Sequence, residues 1–201
     1  MIIHPILTDA IKNGIGLGST SQCYDIMYSI CRAFQCKKIV EIGTYKGYST
    51  LTFCQAIIDN KQIPEIYAVD QWINYGNNIS YAKEVAIKNF KETGYSNYIQ
   101  IYQGDSKKIL PELFKEIGKV DLCFIDGDHN LDGVMADYNN CKENSKILLF
   151  HDTFANGYLC NSYLDKVKED GWQIITFPTK YIEGDAHFVG ISLAYKNGNV
   201  Q

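Results

Sequence analysis

Seven short apolar runs punctuate the chain: Lys38–Ile42, Glu65–Val69, Tyr98–Tyr102, Val120–Ile125, Ile147–Phe150, Trp172–Phe177 and Phe188–Tyr195. Amphipathic stretches at 20–35, 47–60, 79–93, 106–117, 131–143 and 157–170 alternate with them. Continuous apolar runs of about five residues read as strands buried on both faces, and the longer amphipathic stretches read as helices. Asp105 and Ser106 supply a start signal for the helix 106–117, and Pro111 inside it is a candidate kink.

Strict alternation of strand and helix predicts an α/β fold: a Rossmann-like, seven-stranded, mainly parallel sheet with helices on both faces. The last two runs are separated only by the loop 178–187, too short for a helical crossover. They predict an antiparallel closing hairpin, and hence an antiparallel C-terminal strand. Residues 1–201 are expected to form one domain, with 1–37 a helical extension and 38–201 the core.

Composition narrows the function classes. Hydrophobic residues are 46% and charged residues 21% of the chain, as suits a protein with a core, and the formal net charge is -4. No run of Lys or Arg makes a basic face, so a nucleic-acid partner is not expected. The cysteines at 23, 31, 36, 54, 123, 141 and 160 are odd in number and contain no CxxC pair. That spacing fits reduced, buried thiols rather than a disulfide framework or a zinc cluster. The N-terminus lacks a basic region followed by a long apolar run, and no segment is long and apolar enough for a membrane span. The expected location is the cytoplasm.

In an open parallel sheet, ligands bind beyond the C-terminal strand ends. Those ends carry the polar residues of interest. Gly43 and Gly47 bracket the turn after the first strand, where glycine permits close approach of backbone to ligand. Their GxxxG spacing is not that of dinucleotide folds, which disfavours a nicotinamide-dependent dehydrogenase, and no GK[ST] follows to hold a triphosphate. Glu41, Asp70, Asp105 and Asp126 each fall at or just past a strand end. Four carboxylates around one cleft would repel a phosphate-rich cofactor but not a ligand bearing a sulfonium, an ammonium, a ribose and an adenine. Asp70 suits ribose hydroxyls, and Asp105 or the backbone of Ser106 suits the adenine amine. Each acid has a competing role as a helix N-cap.

EIGTYKGYST (Glu41–Thr50), IYAVD (Ile66–Asp70) and GDSKKILPEL (Gly104–Leu113) resemble, in order, the cofactor motifs of class I S-adenosylmethionine-dependent methyltransferases. FIDGDHNLDGVMADYNNC followed by ILLFHDTF resembles the small-molecule O-methyltransferase branch, of the bacterial sugar and natural-product type. The resemblance covers roughly 38–155. It implies that Glu41, Gly43, Thr44 and Gly47 surround the methionine part of S-adenosylmethionine and that Ser49 holds its carboxylate. It further implies that Asp70 and Gln71 meet the ribose, with Trp72 beside them, and that Asp105 and Ser106 face adenine. The acceptor is then a small molecule, and a homo-oligomer is in keeping with such relatives.

Catalysis is expected from IDGDHN and HDT. Asp126 should lie beside the methyl donor, and His129 is the candidate general base, because imidazole titrates nearest neutral pH. Asp152 should stand next to Asp126 across adjacent strand ends, so the two carboxylates are candidate ligands for Mg2+, which would orient and acidify the acceptor hydroxyl. The chain departs from the better-known Asp-Asn and Glu-Asp pairs here, since it has His151, Asp152 and Thr153. Histidine is a poor magnesium ligand. His151 is therefore also a candidate acid–base group or an orienter of Asp152. His187 is a further candidate on the acceptor side, and His4 has no assigned role. Tyr45, Tyr48, Tyr75 and Tyr81 flank the cleft in sequence. Other readings keep the fold but change the reaction, to an antibiotic hydroxylase-like enzyme or an N-methyltransferase, or keep only cofactor binding without turnover.

Overall fold

The computed structural model describes residues 21–73, 80–153, 162–180 and 188–198. Helix α1 (Ser21–Ala33) precedes β1 (Lys38–Ile42), α2 (Tyr48–Asp59), β2 (Glu65–Asp70) and α3 (Ser80–Glu92). Then follow a 3-10 turn (Ser96–Tyr98), β3 (Ile99–Gln103), α4 (Ser106–Ile117), β4 (Val120–Ile125) and α5 (Leu131–Cys141). The remaining elements are β5 (Ser145–Phe150), α6 (Ser162–Glu169), β6 (Gln173–Lys180) and β7 (Phe188–Tyr195).

The strands form one seven-stranded sheet in the order β3-β2-β1-β4-β5-β7-β6. β1 to β5 pair in parallel, while β7 runs antiparallel to both β5 and β6. The expected mainly parallel sheet with an antiparallel C-terminal strand is present. The hairpin is longer than the apolar run indicated, because β6 continues to Lys180 through Pro178, on the sheet's outermost strand. An edge strand tolerates a proline because one of its two sides has no ladder to complete.

Alternate residues of each strand feed two separate cores. Ile39, Ile66, Phe124, Leu149 and Leu193 pack with α1, α2 and α3 on one face. Val40, Val69, Ile125, Phe150 and Ala194 pack with α4, α5 and α6 on the other. This two-sided burial is why the strands read as unbroken apolar runs rather than as alternation. Cys23, Cys31, Cys36, Cys54, Cys123 and Cys141 are all buried free thiols, and Cys160 lies outside the described residues. Among the described residues no helix is long and apolar enough to cross a membrane.

β1 and β4 are neighbours, and the chain leaves β1 toward one face and β4 toward the other. Here the strand order reverses, and the two loops diverge to leave a crevice. The ladder continues one rung past the strand ends. Gly104 N donates to Asp70 O (2.9 Å), Gly43 N to Val69 O (2.9 Å), Asp126 N to Ile42 O (2.9 Å) and His151 N to Ile125 O (3.1 Å). These rungs hold five chain segments side by side along the mouth of the crevice.

Candidate active site

A cavity of about 320 Å³ lies over this row. Of the residues proposed for the cofactor, Gly43, Asp70 and Gln71 line its β1–β2 side, and Asp105 and Ser106 its β3 side. Asp126, His129 and Asp152 line the opposite end. Glu41, Thr44, Gly47 and Ser49 are not in its wall. Pleating explains Glu41: it shares the face of Ile39 and points under α2, where it is wholly buried.

The glycine loop is built for close approach. Gly43 has φ +91°, and a Cβ there would sit 2.0 Å from the carbonyl oxygen of Asp126. Gly47, at φ +80°, has the Phe90 ring where its side chain would be. Asn89 Nδ2 donates to Lys46 O at 3.0 Å, so α3 fixes the loop from outside.

Asp70 ties this loop to the segment after β2. Its Oδ2 accepts from Tyr45 N and its Oδ1 from Trp72 N, both at 2.7 Å. The Trp72 indole N–H donates to Tyr45 O at 2.9 Å and closes the link. Tyr45 (φ 49°) and Trp72 (φ 41°) hold left-handed backbone that costs a non-glycine residue of order 1–3 kcal/mol. The double acceptance by Asp70 offsets that strain, and each carboxylate oxygen keeps a lone pair for a ligand. Asp105 caps α4 by accepting from Lys107 N at 3.0 Å, so its N-cap role is realised while it also lines the cavity.

A model of the methyltransferase domain family matches residues 40–153, more than half of the chain and the whole of this row of strand ends. The chain belongs to this methyltransferase family. It is 35% identical over 104 residues to a catechol O-methyltransferase of Niastella koreensis, covering 51% of this chain and 41% of that protein. The fold resembles that of the O-methyltransferase TomG from Streptomyces achromogenes, solved in complex with SAM (TM-score 0.73, 17% identity, 98% of this chain and 91% of that one). It also resembles an O-methyltransferase from Bacillus cereus in complex with SAH (TM-score 0.75, 12% identity, 98% and 93%). The chain spans less than half the length of the curated relatives it matches.

The far end of this cavity gathers two carboxylates and an imidazole, with a second imidazole beneath them. His129 Nε2 stands 3.4 Å from Asp152 Oδ2 and 3.8 Å from Asp126 Oδ1. His151 Nδ1 stands 3.2 Å from Oδ1 of both Asp126 and Asp152, from a fully buried position beneath them. Burial opposes charge on Asp126, but the two imidazoles beside it outweigh that and hold its carboxyl below the usual range. Asp126 in turn raises His129 above the ordinary imidazole value, against a smaller effect of burial. His151 is raised as well: burial disfavours its cation, yet the Asp126 and Asp152 carboxylates prevail. Asp152 has φ 55°, the third strained non-glycine residue in the cavity wall. One ligand atom from each of Asp126, His129 and Asp152 falls within a 4.8 Å cluster, a set able to hold a metal ion.

Two buried acids support the wall from behind. Glu41 accepts from Thr44 Oγ1 at 3.2 Å and from Thr50 Oγ1, in the first turn of α2. Burial pushes its carboxyl up to about 7, with nearby hydroxyls pulling the other way. Asp137, on α5, accepts from Ser106 Oγ at 2.6 Å, and burial raises it to about 6. Asp137 was not expected from the sequence. Its signal is an acid on the same helical stripe as buried Val134, Tyr138 and Cys141. Of the flanking tyrosines, Tyr45 lines the cavity, Tyr48 does not, and Tyr81 is exposed. Tyr75, His4 and His187 lie outside the described residues.

Proposed function

We propose that this chain transfers the methyl group of S-adenosylmethionine to a hydroxyl oxygen of a small-molecule acceptor, a sugar or natural-product hydroxyl. The observation that carries this reading is the division of one cavity into a nucleoside end (Asp70, Asp105, Ser106) and an end of convergent charge (Asp126, His129, Asp152). The donor would lie with its ribose on Asp70 and its adenine toward the N-terminus of α4. Its methionine would cross the Gly43 turn, where no side chain stands between ligand and backbone. The sulfonium then faces Asp126, whose charge suits it. The acceptor oxygen attacks the methyl carbon in line, the carbon–sulfur bond breaks, and S-adenosylhomocysteine leaves. His129 Nε2 takes the acceptor proton, with Asp126 and Asp152 stabilising the imidazolium formed.

A second reading is favoured by the clustering of Asp126, His129 and Asp152 ligand atoms. Two carboxylates and one imidazole fit a divalent cation, manganese or a softer ion better than magnesium. Such an ion would orient the acceptor and lower its hydroxyl pKa. The readings are exclusive at one atom, because His129 Nε2 cannot both bind a metal and take a proton. Calorimetry with S-adenosylhomocysteine tests the cofactor: no binding at millimolar ligand sinks the proposal. Methyl transfer to a panel of hydroxylated acceptors, with and without EDTA, then separates base from metal. Turnover that survives EDTA keeps His129 as the base, and turnover that EDTA abolishes and manganese restores assigns it to the ion.

A further inference from the structure

The nucleoside end contains a hydrogen bond that decides what kind of base edge it accepts. Ser106 is the first residue of α4 and lines the cavity. Its hydroxyl proton is directed away from the cavity, onto Asp137 Oδ1 at 2.6 Å. Asp137 belongs to the middle of α5 and is 1% exposed. Its other oxygen, Oδ2, lies over the backbone of Gly127 at the edge of the cavity, in ordinary contact distance of where a Cβ would stand. Asp137 Oδ1 is the acceptor of this bond. Burial pushes its carboxyl up to about 6, and in the ionised form it has no proton to give back. A serine hydroxyl has one proton. With that proton given to Asp137, Ser106 Oγ presents only lone pairs to a ligand.

We infer that Asp137 is a positioning residue for adenine selectivity, acting by fixing the Ser106 hydroxyl as a hydrogen-bond acceptor toward the ligand. This rests on the proposed donor, whose base would reach the β3 side of the cavity once its ribose is on Asp70. Adenine carries an amino group on its six-membered ring and can donate to Ser106 Oγ. Hypoxanthine carries a carbonyl there, and would set two acceptors against each other. The site would therefore refuse an inosyl analogue on the polarity of one hydroxyl, not on size. Asp105 is a rival reader of the amine, although its Oδ1 is already engaged with Lys107 N.

The test compares the affinity of S-adenosylhomocysteine with that of S-inosylhomocysteine by calorimetry. The wild-type chain should prefer the adenosyl ligand by about ten- to hundredfold, the range one mismatched polar contact supplies. Asp137→Asn, whose amide can present either a donor or an acceptor to Ser106, should reduce that preference several-fold. Ser106→Ala should reduce it to the same degree, and the double variant should lose no more than either single one. A residue that only supports the fold would weaken both ligands in parallel. Such parallel weakening, or a preference that persists in Ser106→Ala and disappears only in Asp105→Ala, overturns the inference. Should Asp137→Asn fail to fold, Asp137→Ala, which frees the Ser106 hydroxyl without adding a polar group, takes its place beside Ser106→Ala, and a preference it leaves unchanged overturns the inference. Wild-type protein that binds neither ligand refutes the donor assignment itself, and the inference with it.

Discussion

The two ends of the cavity are built on opposite plans. At the end proposed for the nucleoside each of these acids has a fixed partner: Asp70 holds two backbone amides, Asp105 caps α4, and Asp137 holds Ser106. At the other end two carboxylates and two imidazoles stand 3.2–3.8 Å apart, with both nitrogens of His151 buried and lacking a well-aligned hydrogen bond. Satisfied acids give a rigid frame, as the proposed donor requires. Concentrated charge in a half-buried pocket leaves protons and cations exchangeable, which is what a reacting centre requires.

That contrast can be broken most sharply at His129. Replacing it with alanine should lower turnover by roughly 10²–10⁴ while leaving S-adenosylhomocysteine affinity within twofold. Equal loss of both in steady-state kinetics and calorimetry would erase the distinction between the ends. In the wild type, turnover should rise with pH through a value above the ordinary imidazole one, because Asp126 holds the proton on His129. A profile centred at or below the ordinary value would remove His129 as the base.

The next largest effect is expected behind the frame. Glu41 ordinarily titrates near 4.5 but reaches about 7 in the fold, so the folded state binds the proton more tightly. Stability from this group is present below pH 4.5 and lost as pH rises to 7, a difference of about 3 kcal/mol. Glu41→Gln keeps an acceptor for Thr44 and Thr50, so in urea titrations it should be more stable than wild type at pH 8 and comparable at pH 4.5. A constant difference across that window would mean that Glu41 stays ionised.

At the nucleoside end, Asp70→Asn should weaken S-adenosylhomocysteine by about 10- to 100-fold, the worth of a charge-assisted hydrogen bond, with kcat little changed at saturating donor. A larger fall in kcat than in affinity would make Asp70 part of the reacting centre. The smallest change belongs to Lys83, whose ammonium lies 5.7 Å from the Trp72 ring centroid. Lys83 Nζ also donates to Gln103 Oε1 at 2.6 Å, and Lys83→Ala, which removes both contacts, should cost about 1 kcal/mol and move the melting midpoint by only a few degrees.

Much of this arrangement was legible in the order of residues. Lys38–Ile42, Val120–Ile125 and Phe188–Tyr195 are strands with the bounds their apolar runs indicated, because burial on both faces leaves no ambiguous edge. Asp126, His129 and Asp152 meet because they lie one and four residues past β4 and two past β5, and adjacent parallel strands bring their ends together. The insertion of β7 between β5 and β6 was not legible, since a hairpin's pattern does not say which arm pairs with the older sheet. Nor was the engagement of Asp70 with Tyr45 and Trp72, which depends on two left-handed residues that no glycine announces. His151 was visible as a residue, but its place beneath both carboxylates required the geometry of the strand end. Asp137 was hidden for the opposite reason: an acid in a helix interior resembles any solvated position until its neighbours are known.

The insertion of β7 sets an order of assembly. β1 to β5 can pair as they leave the ribosome, yet the outer edge of β5 finds its partner only when the last strand of the sheet has been made. Thr153 N, one residue past Asp152, donates to Gly190 O of that strand at 3.1 Å. A nascent chain stopped before β7 would therefore carry a nearly finished nucleoside end beside an unsupported reacting end and an open sheet edge, the kind of edge that recruits other chains. The turn that carries Asp152 is therefore locked only by a strand made after every other strand of this sheet.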